Sequence, residues 1–312
     1  MTTYFSCQPS FQRQRGFTLV EAIVVMVITG VLAGIMVLFI RQPTQNYVDA
    51  AARADLSDTA DLALRRMARE LHAALPNSVR LTSGGGVWWL QFIPTTAGGQ
   101  YLAVEDNGSS GTPLSFSAAN AQSFSVVGPM GAINVGDHIA IYNLGNGIDD
   151  ADAYARGNLA LVTGLNGTLV TFEQAGDTAL DGVAHPNNVN PFAIPANAVP
   201  ARVANSSPDH RFFVVGRPVT FRCAANAQGT GRLERFADPR FTVAQPTPAL
   251  NQAGALMADN VVGCDFSFVQ AANLQTGLIG LTIALARPRA GGAANGLETV
   301  TLTHQIHVDN TP

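Results

Sequence analysis

His304 and His307 stand three apart near the C-terminus, a spacing that invites a metal ion. The stretch around them alternates apolar and polar residues, so it reads as a strand, where odd spacing sends the two rings to opposite faces. One histidine then points inward and the other to solvent, and no metal site is expected. The run Asn146-Gly147-Ile148-Asp149-Asp150-Ala151-Asp152 offers oxygens that could hold calcium. It lacks the central spacing and terminal glutamate of an EF-hand, so it reads as a solvated acidic turn. Trp88-Trp89 could stack on a sugar, but neighbours in a strand face opposite ways, which puts one ring in the core. There is no Gly-x-Ser-x-Gly, phosphate loop or dinucleotide fingerprint. The expectation is a non-enzymatic protein with no cofactor.

Three cysteines remain. Cys7 precedes the first apolar segment, while Cys223 and Cys264 lie far downstream, in the part expected outside the cytoplasm. A pair in an oxidising compartment reads as a disulfide. The loop of about 41 residues that it closes would stabilise the fold by ~4 kcal/mol in the chain-entropy view.

The last reactive group is Glu21, and its setting sets it apart. Phe17 opens a stretch that is apolar almost throughout to Ile40, and Arg41 closes it. As a helix, this length spans roughly 36 Å, about the thickness of a bilayer core. An unpaired charge inside such a span costs a few kcal/mol and marks a functional residue. Arg13 and Arg15 precede the span and hold that end on the cytoplasmic side. Gly30 and Gly34 form a Gly-x-x-x-Gly pattern that lets membrane helices approach closely. Pro43 is expected to kink or interrupt the helix as it leaves the membrane.

Arg15-Gly16-Phe17-Thr18-Leu19-Val20-Glu21 and the apolar run behind it resemble the class III signal of type IV pilins and type II secretion pseudopilins. The resemblance implies cleavage by a prepilin peptidase between Gly16 and Phe17 and N-methylation of Phe17. It also implies that Glu21 pairs with the freed amine of Phe17, within one subunit or between neighbours. Three stretches further resemble the MshO-type minor pilins of the mannose-sensitive haemagglutinin (MSHA) pilus. They are Arg211 to Val215 leading through Pro218 to Cys223, the ending His304 to Pro312, and the loop from Tyr142 to Ala155. The partners so implied are the prepilin peptidase, other major and minor pilins, the inner-membrane assembly platform and membrane lipid. The implied location is the inner membrane, single-pass with a periplasmic head, and the pilus after assembly.

The remaining chain must supply what the helix packs on. Ala52, Leu56, Ala60, Leu64, Met67, Leu71 and Leu75 recur at steps of three and four, the stripe of an amphipathic helix that Pro76 ends. Asp61 and Arg65 form a favourable i,i+4 pair. Strands are expected at 87–93, 123–127, 138–142, 159–163, 168–172, 212–215, 219–223, 261–268, 278–285 and 300–308. Val262, Cys264, Phe266 and Phe268 should share one face. The Gly-, Pro-, Asn- and Gln-rich stretches 183–202 and 225–255 read as loops. Hydrophobic content of 47% allows a real core, while 13% charge and a formal −4, made more negative when Arg13 and Arg15 leave, exclude nucleic acid as a partner.

These readings combine into an α+β, pilin-like fold. Residues 1–16 form a leader, 17–42 a transmembrane and assembly helix, 43–76 an amphipathic helix and 77–312 a β-rich periplasmic head. The expected function is a minor pilin of an MSHA-type type IV pilus that primes or caps assembly. The alternatives are a large type II secretion pseudopilin and a tip adhesin that binds a surface glycan.

Overall fold

The computed structural model describes residues 16–106, 110–145, 147–148, 150–174, 189–193, 206–270, 275–290 and 296–312. Of the expected leader, only Gly16 falls within them; Cys7, Arg13 and Arg15 lie outside, as do Asn146 and Asp149.

One helix, α1 (Leu19–His72), dominates the N-terminal part. Its 54 residues extend about 81 Å at the usual rise. Thr18 caps it, accepting a hydrogen bond from the Glu21 N–H at 3.3 Å. The helix is not interrupted at Pro43 but runs on through it. Proline removes the ladder bond to the Phe39 carbonyl, and the Thr44 hydroxyl after it bonds the carbonyls of Ile40 and Arg41. The helix ends at His72, short of the expected Leu75. Residues 73–75 are drawn into an extended pairing instead, with Leu75 donating to Ile93 O and Thr95 donating to Ala73 O, both at 2.7 Å.

Thirteen strands follow among the described residues: β1 (Arg80–Gly84), β2 (Val87–Phe92), β3 (Thr95–Tyr101), β4 (Ser123–Val127), β5 (His138–Ala140), β6 (Leu159–Asn166), β7 (Leu169–Gln174), β8 (Arg211–Val215), β9 (Val219–Ala224), β10 (Gly231–Ala237), β11 (Ala255–Gln270), β12 (Thr276–Pro288) and β13 (Leu297–Asp309). They form two bodies. A seven-stranded sheet runs β1-β2-β9-β10-β11-β12-β13, and β3-β4-β7-β6-β5-β8 close into a barrel. All pairings are antiparallel. The fold is therefore α+β, a long N-terminal helix packed on an antiparallel β-rich head.

The sheet packs on the second half of α1. Leu56, Ala60, Leu64, Met67 and Leu71 are buried against Phe92, Phe221, Leu281 and Ile283, each large side chain contributing ~1.5–3 kcal/mol. Ion pairs fix the helix along the sheet: Arg53 to Glu298 at 2.6 Å and Arg235 to Glu70 at 2.7 Å. The expected Asp61–Arg65 pair forms at 2.7 Å.

The faces of β12 and β13 follow the alternation in sequence, with Ile279, Leu281, Ile283 and Leu285 fully buried. In β11 the expectation holds only in part. Cys264, Phe266 and Phe268 join the core, but the fourth member is Val261 and not Val262. A register shift between Val261 and Gly263 makes Val262 an extra, half-buried residue. The stretch 225–255 is not all loop, since it contains β10. Gly231 opens that strand, and any side chain there would collide with the carbonyl oxygens of Val261 and Ala224. Within 183–202, the described residues 189–193 are not a surface loop either. Phe192 enters the barrel core beside Phe172, with ring centroids 5.3 Å apart.

β2 and β9 are neighbours in the sheet, so the whole barrel is inserted between them. Phe124, Phe172, Phe212 and Val214 fill its interior. It rests on the sheet through a small apolar cluster that includes Leu75, Ile93, Tyr154 and Phe241. This contact lies beyond the C-terminal end of α1, so the barrel sits at the end of the helix opposite Phe17.

Candidate functional site

The first half of α1 is bare. Phe17, Leu19, Met26 and Phe39 are each more than 70% exposed, and the apolar side chains described between them are exposed as well. This half is one apolar helix long enough to cross a membrane. Thr29 satisfies its hydroxyl on the Val25 carbonyl at 2.7 Å, as hydrocarbon surroundings would demand. Glu21 differs. It lies in the first turn, where a carboxylate suits the helix dipole, but no cation reaches it among the described residues. Gly30 and Gly34 have no other atom within 4 Å of where a Cβ would stand, which leaves a shallow notch on the bare surface.

The geometry at Gly16–Phe17–Glu21 has one chemical consequence. In the intact chain the nitrogen of Phe17 is an amide and carries no charge. Cleavage after Gly16 would turn it into an ammonium within a turn of Glu21. A carboxylate and an ammonium in hydrocarbon stabilise one another where each alone is costly.

Cys223 and Cys264 form a disulfide, with Cα atoms 6.3 Å apart. They lie on β9 and β11, which flank β10. Cys223 pairs with Leu233 of β10, whereas Cys264 lies three residues beyond Val261, the partner of Gly231 at the start of β10, so the bond ties the two outer strands near that end of the middle one. Trp88 on β2 is the Cα partner of Cys223, and its ring meets Phe266 of β11 at 6.2 Å.

The two tryptophans face opposite ways. Trp88 packs against the core, while the Trp89 ring lies under the segment that follows β10 and donates to Pro248 O at 3.3 Å. Arg222 holds that segment down. It pairs with buried Glu234 and donates to the carbonyls of Ala249 and Gln252. Both indoles are half-buried. His304 is half-buried on the inward side of β13 and His307 is exposed. Among the described residues, no three His, Cys, Asp or Glu side chains gather as for a metal ion. In the acidic turn, Asp152 is buried and accepts from the N–H groups of Gly147 and Tyr154 at 3.1 and 2.8 Å, a structural role. Asp149 lies outside the described residues.

One polar network escaped sequence reasoning. Gln91 on β2 donates to Asp238 at 2.6 Å, Thr220 donates to the same oxygen at 2.6 Å, and Arg80 donates to Gln91 at 2.7 Å. The Arg80 guanidinium lies 3.6 Å from the centre of the Tyr154 ring. Burial pushes the Asp238 carboxyl above its usual range, lowers Arg80 and raises the Tyr154 phenol. The available signal was Gln91 itself, a polar residue inside an otherwise apolar run, which must find partners once buried.

The family described as "Prokaryotic N-terminal methylation motif" matches residues 11–37. No curated protein and no solved structure matches the chain. The matched residues include Gly16, Phe17 and Glu21 and most of the bare half of α1. The chain thus carries a prepilin-type signal at the start of its helix.

Proposed function

We propose that this protein is a minor pilin of an MSHA-type type IV pilus, and that it primes or caps the fibre. The observation that carries this reading is the division of α1. Its second half is buried in the head, while its first half is bare, apolar and holds one carboxylate, five residues after Gly16, that no cation reaches among the described residues. A helix so divided can sit in lipid before assembly and among the helices of other pilins afterwards, with its apolar surface covered in both states. In this reading the prepilin peptidase cuts between Gly16 and Phe17 and methylates Phe17. Gly30 and Gly34 let a neighbouring helix approach, and the head lies in the periplasm on a single-pass inner-membrane anchor. The partners are other major and minor pilins and the assembly platform.

Two features favour a minor subunit. The inserted barrel makes the head large, and it widens the subunit at the end opposite Phe17, where a repeating fibre has least room and a terminal position has most. The resemblance of Arg211–Cys223, Tyr142–Ala155 and His304–Pro312 to MshO-type pilins supports the MSHA assignment. Gly16→Ala tests the processing step. The variant should accumulate in the membrane with residues 1–16 attached, seen by intact-mass spectrometry, and normal maturation would remove the reading. Co-purification with the other minor pilins of a pilus, rather than with pseudopilins of a secretion system, tests the finer assignment.

A further inference from the structure

β13 is the last strand of the seven-stranded sheet, and its outer edge is open. We propose that this edge is completed by an extended, uncharged strand from a different subunit of the same assembly, held through its main chain.

β13 pairs with β12 at each position from Leu297 to Asp309, without a register shift. Just past that run the Asn310 N–H donates to Gln275 O at 2.9 Å. Opposite residues in an antiparallel pair alternate between those that exchange both bonds and those that exchange none, so Asn310 fixes the alternation. The even-numbered residues bond β12. Thr299, Thr301, Thr303, Gln305 and His307 turn N–H and C=O the other way, where no described group bonds them. All of these residues are exposed.

Such an edge is a template for another strand, and folded proteins blunt it with shortness, a bulge, proline or charge. β13 has thirteen residues and no bulge. Between Glu298 and Asp309 it carries no Pro, Asp, Glu, Lys or Arg. The rest of the head is better protected. The barrel is closed, and β1, at the sheet's other edge, is only five residues long, Arg80 among them.

The chemistry of the edge selects its partner. A row of alternating donors and acceptors matches an extended main chain. On the side facing α1, Val300 and Leu302 pack on the core yet stay half-buried, so apolar side chains of the incoming strand would cover them. On the opposite side its side chains would lie beside Thr299, Thr301 and Thr303, where an uncharged polar residue fits. The partner is thus a segment that alternates apolar and uncharged polar residues.

A second copy of this chain fits poorly. β13 runs in the direction of α1: Arg53 meets Glu298 at 2.6 Å, and past the helix end the Asn77 N–H meets Asn310 at 3.2 Å. Two copies with their helices in one membrane hold these edges in the same direction, so the edges meet only if one subunit is turned over. The polar side of one strand would then continue the apolar side of the other. The donor is therefore a different subunit, an identification that rests on the pilin function proposed above.

The test compares the full chain in phosphatidylcholine nanodiscs with the same chain in sheared fibres, by hydrogen exchange read residue by residue. In nanodiscs the amides of Thr299, Thr301, Thr303, Gln305 and His307 should exchange fast and their even-numbered neighbours slowly. In fibres the fast ones should slow by about tenfold or more, as newly bonded amides do. A benzophenone amino acid in place of Thr301, and of Gln305 in a second strain, should cross-link to one segment of another subunit, at positions about four residues apart. Thr303→Pro removes one outward N–H and leaves the bonds to β12, where an edge strand tolerates proline. It should lower the amount found in fibres about fivefold or more, with an unchanged urea midpoint in nanodiscs. Thr303→Val keeps the main chain and should assemble as wild type. If Thr303→Pro unfolds, the wild-type amides decide. The proposal is overturned if the chain enters fibres with these amides still fast, if folded Thr303→Pro assembles as wild type, if Thr303→Val is lost as the proline variant is, or if the cross-links reach a second copy of this chain. Absence of the wild-type chain from fibres would remove the pilin function itself, and this pairing with it.

Discussion

Phe92 at the end of β2 and Val219 at the start of β9 are direct Cα partners in one sheet, although residues 93–218 separate them in sequence. Partners in an antiparallel pair stand only about 4.5–5.5 Å apart, a gap that a short turn can bridge. The barrel is therefore a module set into a complete helix-and-sheet unit. Replacing residues 95–215 by a four-residue Gly/Asn turn should leave α1, the seven-stranded sheet and the disulfide in place. The cost should be the exposure of Leu75, Ile93 and Phe241, about 1.5–3 kcal/mol for each side chain laid bare. Limited proteolysis and non-reducing mass spectrometry would check this. A degraded helix segment 45–72 would mean that the barrel is part of the folding core.

The disulfide should matter to the same unit. It closes a separation of 41 residues and ties β9 to β11, the two neighbours of β10. Changing both Cys223 and Cys264 to Ser should lower the unfolding free energy by about 2–5 kcal/mol. Urea titration of the oxidised and variant proteins would show it as a lower midpoint. Equal midpoints would mean that the packing of Trp88 on Phe266 holds this part of the sheet without help.

Where alternation was regular, as in β12 and β13, burial could be read residue by residue. At β11 it failed by one position, because a bulge is set by pairing with a partner strand and leaves no mark in composition. β10 was hidden because its own Arg232, Glu234 and Arg235 resemble its loop-like surroundings; Glu234 finds Arg222 across the pairing with β9, and Arg235 finds Glu70 on α1. The continuity of α1 through Pro43 rests on the length of helix on either side of it, which a single proline does not reveal. Closure of the barrel and the open edge of β13 depend on strand order, which local sequence does not encode. The signal at Gly16, Phe17 and Glu21 was legible because it is read as a linear peptide and needs no fold to display it.

Asp238 predicts a pH dependence. Its folded pKa is raised, so between its unfolded and folded values the folded state holds a proton that the unfolded state has released. Stability from this group is thus greatest at low pH and falls as pH rises through that window. Asp238→Asn keeps an oxygen for Gln91 and Thr220 but has no charge to bury. The variant should be at least as stable as wild type at pH 7, with the difference shrinking below the ordinary aspartate range. Thermal unfolding at pH 3 to 7 would measure it. A variant less stable at pH 7 would mean that attraction between the carboxylate and Arg80 outweighs burial.

Glu21 carries the sharpest prediction about assembly. Left unpaired in hydrocarbon, its charge costs ~2.5–3.5 kcal/mol, and the amine created at Phe17 is the nearest cation that processing can provide. Glu21→Ala should be cleaved and inserted normally, because the cut lies before it and the helix stays apolar. Its incorporation into sheared surface fibres should fall by about tenfold or more, the change that about 1.4 kcal/mol of lost pairing produces. Glu21→Gln separates charge from shape: it keeps the length and polarity of the side chain but cannot pair ionically. If charge is what matters, the Gln variant should fail as Ala does in immunoblots of the fibre and membrane fractions. If Gln assembles like wild type, hydrogen bonding by Glu21 suffices, and if Ala also does, Glu21 has no part in joining subunits.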